Sequence, residues 1–151
     1  MKFRPSKVNL FLLLKLPAAF LTGVRLVTIS EYKASVSVRH RWINQNPFKS
    51  MFWAVQGMAS ELSTGILVMK SIDDSGKKVS MLVTNMSATF SKKATGRITF
   101  HCHDGVLIQE AINKSIQSGE GQTVVMTSEG FNGDGISVSK FEYEWSLKVK
   151  N

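Results

Sequence analysis

Residues 46–65, NPFKSMFWAVQGMASELSTG, constrain the fold more than any other part of the chain. They read as a turn followed by a helix that is apolar on nearly every face, yet carries one carboxylate, Glu61. A helix of that composition belongs inside a domain, not on its surface. An acid on such a helix has to be paired, protonated or used. Pro47 pushes Asn46 out of helical geometry, so the turn comes first, and Ser50 is placed to cap the helix. The apolar positions Met51, Phe52, Val55, Met58, Ala59, Leu62, Ile66 and Met69 carry the helix to about Lys70. At about 1.5 Å per residue it spans roughly 30 Å, the width of a small domain. Gly57 and Gly65 lie four residues either side of Glu61, on its face. Glycine in a helix costs about 1 kcal/mol relative to alanine, so another backbone or a ligand is expected to approach there.

The remaining sequence reads mainly as sheet arranged to wrap that helix. Across residues 24–42, Ala34, Val36, Val38, His40 and Trp42 share one face and Ser35, Ser37, Arg39 and Arg41 the other, as in a half-buried strand. His40 is expected as a core or rim residue, and Arg39 and Arg41 as a solvated face. Asp73-Asp74-Ser75-Gly76 is a turn with too few carboxylates for a calcium loop. Val79, Met81 and Val83 alternate on one parity and Met86, Ala88 and Phe90 on the other, which predicts a bulge near Thr84 and Asn85. Ile98, Phe100 and Cys102 line one face of the next strand, with His101 and His103 opposite. That alternation separates the thiol from both imidazoles, so the run is not a metal site.

Asp104 is expected to cap a shorter helix with Val106, Leu107, Ala111, Ile112 and Ile116 as its apolar stripe. A strand over 122–127 leads to the glycine-rich residues 130–135, which lack the lysine and helix of a phosphate loop and read as a hairpin turn. Phe141, Tyr143, Trp145, Leu147 and Val149 face the core of the last strand.

A length of 151 residues without repeats or linkers fits one domain. The net charge of +8 favours an anionic partner, but it is spread along the chain without a Lys/Arg block, which argues against nucleic acid. The single cysteine excludes an internal disulfide and fits a reducing, cytoplasmic setting. MKFRPSK followed by VNLFLLLKLPAAFLTG has the outline of a signal peptide, but Lys15 and Pro17 interrupt it and no small-x-small site follows. A pair of short helices, the second opening at Pro17, is expected there, without stable membrane insertion.

The order of strand, long buried helix, two strands, short helix and two strands is an α+β pattern, and it resembles the hot-dog fold, a curved antiparallel sheet wrapped around a long central helix. Residues 1–23 then form an N-terminal helical segment packing on a hot-dog domain of residues 24–151. Small hot-dog thioesterases carry an Asn, a Gly-x-x-His-Gly-Gly turn and an Asp or Glu one helix-length later. Counted from Asn46, the acidic position falls on Glu61 without a gap. Ser87-Ala88-Thr89-Phe90 to Ala94-Thr95-Gly96 is similar to the strand and turn that follow. The chain most resembles the domain-of-unknown-function 4442 branch, in which NPF and FWA-type residues open the helix. It departs from the thioesterase motif where Phe52-Trp53-Ala54 replaces His-Gly-Gly and Lys49 replaces the first glycine.

The resemblance implies an acyl-CoA thioesterase. Glu61 is then the general base or nucleophile, backbone amides at Trp53 and Ala54 hold the oxyanion, and Asn46 orients water or the carbonyl. Met58 and Leu62 flank the acyl chain, and Lys92 and Lys93 are candidates for the CoA phosphates. It implies no cofactor, coenzyme A entering only with the substrate, and a homodimer or dimer of dimers with shared sites. A non-catalytic acyl-CoA or lipid-binding hot-dog protein is the alternative.

Overall fold

In the computed structural model, which describes residues 3–151, the long helix α3 runs Trp53–Ser75. It starts two residues later than the apolar pattern suggests and ends at Gly76, whose φ of 65° closes the last turn in the left-handed region. Before it come α1 (Pro5–Lys15), α2 (Pro17–Leu21), β1 (Arg25–Ile29), β2 (Ala34–Arg39) and a 3-10 turn (Trp42–Asn44). After it come β3 (Val79–Phe90), β4 (Arg97–Cys102), α4 (Gly105–Ser118), β5 (Gln122–Phe131) and β6 (Ser137–Val149).

The strands make one six-stranded sheet in the order β1-β2-β4-β5-β6-β3, every neighbouring pair antiparallel. The sheet curves around α3, giving the hot-dog arrangement. Its waist is the β4–β5 junction, paired only from Thr99 to His101, where Gly130 leaves room for the Phe100 ring. The expected bulge is present in β3, as a register shift between Val83 and Asn85.

The strand-like run over 24–42 is two strands, not one. Ser30 makes the turn between them: its backbone amide donates to Lys33 O at 2.9 Å and its hydroxyl accepts from the Tyr32 and Lys33 amides. Trp42 does not continue the inward face. It sits in the 3-10 turn with 82% of its surface exposed. His40 is half-buried as a rim residue, but its Nε2 atom is buried without a hydrogen-bond partner.

Two caps also differ from expectation. Ser50 does not cap α3, because its hydroxyl is held by Asn46. Asp104 precedes α4 but its carboxylate accepts from the Thr127 amide at 2.7 Å, tying α4 to β5.

The face of α3 toward β5 and β6 is polar, contrary to its reading as apolar all round. Gln56, Ser60, Ser63 and Thr64 are buried, and each meets a partner on those strands. Ser139 Oγ donates to Gln56 Oε1 at 2.7 Å, and the Ser60 and Tyr143 hydroxyls lie 2.6 Å apart. Ser63 Oγ donates to Ser128 Oγ at 2.6 Å, and Trp145 Nε1 donates to Thr64 Oγ1 at 3.1 Å. Small polar residues let the helix approach the sheet closely while every hydroxyl stays bonded.

At the far edge of the sheet, α1 buries Val8 and Leu12 in the core. Asn9 Nδ2 donates to Leu26 O at 3.2 Å and Asn9 Oδ1 accepts from the Leu26 amide at 2.9 Å. A side-chain amide thus occupies the free hydrogen-bonding edge of β1.

Candidate active site

The residues singled out from the sequence fall into two groups around α3. Asn46, Trp53, Lys92 and Lys93 line a cavity of about 360 Å³ at the start of the helix, together with Gln56. Met58, Glu61 and Leu62 line a second cavity of about 230 Å³ whose other wall is built from α1 and α2.

At the helix start, Asn46 is fully used by its own loop. Its Oδ1 accepts from the Phe48 amide at 2.9 Å and the Ser50 amide at 3.3 Å, and its Nδ2 donates to Ser50 Oγ at 3.0 Å. This turn sends Lys49 to a φ of 60°, the one positive φ outside glycine among the described residues. The amide of Met51 donates to Ala94 O and that of Phe52 to Asn44 O, both at 2.8 Å. Anchored on both sides, α3 then begins without a side-chain cap. Among the described residues, nothing accepts a hydrogen bond from the Trp53 or Ala54 amide. Two unpaired N–H groups at the positive end of a 23-residue helix form a natural anion seat. Trp53 is 54% exposed, its ring edge-on to Phe52 at 5.9 Å between centroids. Lys93 Nζ donates to Phe48 O at 3.3 Å, and both Lys92 and Lys93 are exposed at the rim.

Glu61 lies two turns further on. Its carboxylate has no hydrogen bond or ion pair among the described residues. Burial holds its pKa above the ordinary carboxylate value, and no donor counters that. A side chain on Gly65 would come within 3.2 Å of Glu61 Oε1 and 3.3 Å of the Trp145 ring, so this glycine admits the carboxylate and the indole rather than another backbone. The Tyr143 hydroxyl is pushed up by burial and, beyond the opposing Ser60 bond, by the charge of Glu61. The cavity that Glu61 faces is otherwise apolar except for Lys15, with Leu12, Leu16, Pro17 and Ala18 opposite. These N-terminal residues were not legible as site residues; only the break of the apolar run at Lys15 and Pro17 hinted at an elbow there.

Cys102 is buried on the inner face, its thiol pushed up to about 12 chiefly by burial. His101 and His103 stack on the outer face with centroids 6.3 Å apart.

The family model described as a domain of unknown function, DUF4442, matches residues 7–147. The chain belongs to that family. Among solved structures, it is similar to a Pseudomonas aeruginosa protein of unknown function described as a "probable thioesterase", with a TM-score of 0.82 and 18% identity over 97% of each chain. A mutant thioesterase from the same organism, with a glutamine replaced by alanine, matches with a TM-score of 0.73 and 14% identity, covering 99% of this chain and 97% of that one. A Staphylococcus aureus thioesterase, likewise carrying a glutamine-to-alanine change, matches with a TM-score of 0.64 and 16% identity over 83% of this chain and 93% of that one. A second structure of that protein carries a glutamate-to-alanine change. Identities this low establish the shared fold. A search of curated protein sequences finds no match.

Proposed function

We propose that the protein hydrolyses an acyl thioester of the coenzyme A type, with Glu61 as general base or nucleophile. The observation that carries the reading is the state of Glu61: an unpartnered, desolvated carboxylate forming one wall of an apolar cavity. A structural acid would be expected to hold a donor. The spacing of the site agrees. In the two S. aureus structures the replaced glutamine and glutamate are fifteen positions apart, as Asn46 and Glu61 are here.

In this reading Glu61 takes a proton from water as its oxygen attacks the thioester carbonyl. The oxyanion is held by the free amides at Trp53 or Ala54. The C–S bond then breaks, and the proton passes from Glu61 to the departing thiolate. The acyl group sits beside Met58 and Leu62, under the α1–α2 elbow. A cavity of about 230 Å³ is half as large again as the roughly 150 Å³ that holds a benzene ring, which suits a short, medium or aromatic acyl group. Lys92 and Lys93 remain the candidates for the CoA phosphates.

Glu61 lies eight residues beyond Trp53, about 12 Å along the helix, too far to act on a carbonyl bound at its own helix start. A second copy of the chain would bring its helix start to this Glu61, so the working unit in this reading is a homodimer. The open edge of β3, with Leu82, Met86 and Phe90 exposed, is where the second copy would add.

The test is thiol release from butanoyl-, octanoyl-, phenylacetyl- and hexadecanoyl-CoA by the wild type and Glu61→Gln. Hydrolysis should favour the smaller acyl groups and fall roughly 10²–10⁴-fold in the variant. Equal activity in the two proteins removes Glu61 from the mechanism. The Trp53 indole beside the helix start favours a second reading, in which the protein holds an acyl thioester without cleaving it; octanoyl-CoA that binds and stays intact would select it.

A further inference from the structure

On the sheet face turned away from α3, four arginines meet around one cavity. Arg25, Arg39, Arg41 and Arg97, with Gly23, line a space of about 380 Å³. Their convergence follows from strand register. Arg39 stands directly opposite Arg97 across β2 and β4, and Arg25 opposite Ser37 across β1 and β2. Val36 and Val38, of the other parity, point into the core.

Each guanidinium is placed by local contacts. Arg25 lies 3.6 Å over the Phe20 ring and donates to Phe20 O and Val24 O, both at 2.8 Å. Arg97 donates to Ser37 Oγ at 3.2 Å. Arg41 packs so closely on Gly23 that a Cβ there would be 2.6 Å from its Nη2. Asn44 holds the surrounding loops, accepting from the Arg41 amide and donating to Thr22 O and Arg39 O.

No carboxylate answers this charge: among the described residues, none of the four arginines has an ion pair. Burial, and then the charge of Arg41, lower the basicity of Arg25. Like charges facing each other across strands are destabilising. Arg39, Arg41 and Arg97 are exposed and Arg25 is half-buried, so the cavity is open to a ligand from solvent or from a surface. Here a glycine makes room for one guanidinium, and backbone carbonyls and a serine hydroxyl position two others.

We infer that this cavity is a binding site for a phosphoryl group, separate from the Glu61 cavity on the opposite side of the sheet. A tetrahedral dianion matches the forked donors of arginine and would relieve the repulsion among them. The group has two chemical sources. It can belong to a soluble phosphate ester, CoA included, or to a lipid headgroup, since Leu21, Trp42 and Ile43 adjoin the cavity residues in sequence and are exposed.

Calorimetric titration tests this at matched ionic strength with three probes: pyrophosphate, CoA beside dephospho-CoA, and phosphatidylglycerol/phosphatidylcholine vesicles. Each is run on the wild type and on Arg39→Gln/Arg97→Gln. At least one probe should bind the wild type ten times or more tighter than the double variant. The ligand-free variant should also melt at a higher temperature than the wild type, because the repulsion is gone. Pyrophosphate and CoA binding that the double variant loses, without vesicle binding, identifies a soluble ester, and a loss with dephospho-CoA that persists in the double variant belongs to Lys92 and Lys93 instead. Vesicle binding alone identifies a headgroup. If the double variant does not fold, Arg39→Gln alone, at an exposed position, serves the same comparison. Equal affinity of wild type and variant for all probes overturns the site.

Discussion

Glu61 is costly to the folded chain wherever it is ionised, because burial desolvates it and, among the described residues, nothing donates to it. Its pKa is raised above the ordinary 4.5, so the folded state prefers the protonated acid. That preference stabilises fully at pH values below the unfolded pKa and is lost as pH rises through the folded one. Glu61→Gln keeps the shape and stays neutral at every pH. Melting curves of wild type and variant should therefore nearly coincide near pH 4 and separate above it, the variant becoming the more stable. A difference that stays constant from pH 4 to pH 8 would mean that the carboxylate is not desolvated. An acid that weakens the fold in its ionised state is the kind of group the proposed catalytic use calls for.

At the scale of elements, α3 joins an apolar face, with Val55, Leu62, Ile66, Leu67 and Val68 in the core, to a row of hydroxyls facing β5 and β6. Thr64 is fully buried and accepts from the Trp145 indole. Thr64→Val keeps the volume but strands that N–H, which should cost about 1–3 kcal/mol in urea unfolding, whereas Thr64→Ser should cost less. This row also marks where sequence reading reaches its limit. Burial of α3, the β3 bulge and the inward face of β6 are periodic, so they could be read from spacing. Ser60, Ser63 and Thr64 break no period; their burial depends on Tyr143, Ser128 and Trp145, residues more than sixty positions away. The Ser30 turn was missed for a related reason, since it sits among residues that alternate like strand. The cap expected at Ser50 failed because Asn46, four residues earlier, competes for the same hydroxyl. For the candidate site, Glu61 and the amides at Trp53 and Ala54 are expected from the resemblance and the spacing from Asn46, and the helix start leaves those amides without acceptors among the described residues. The α1–α2 wall could not be foreseen, because no local pattern tells a terminal segment which cavity it will close.

At the scale of the whole molecule, the sheet of the described residues has one long unpaired edge. β3 spans twelve residues, pairs only with β6, and has no charged side chain between Val79 and Phe90. Edges of that kind are normally covered. Met86→Lys places a charge on that edge at a position 40% exposed in the single chain. If β3 joins two copies, light scattering should show the variant as a monomer. Thioester hydrolysis should fall at least tenfold, while circular dichroism stays unchanged. A variant that remains dimeric would move the interface elsewhere. The opposite edge behaves differently, since Asn9 occupies the amide and carbonyl of Leu26 from within the same chain. In the language of polymers, the proposed dimer treats the chain as monovalent for strand addition, with β3 as its reactive end and β1 blocked at Leu26. Two such units, joined through β3 as proposed, would consume each other's reactive end, and growth would stop there. In the proposed dimer, Asn9 on α1 would then help to keep β1 from accepting a further strand at Leu26.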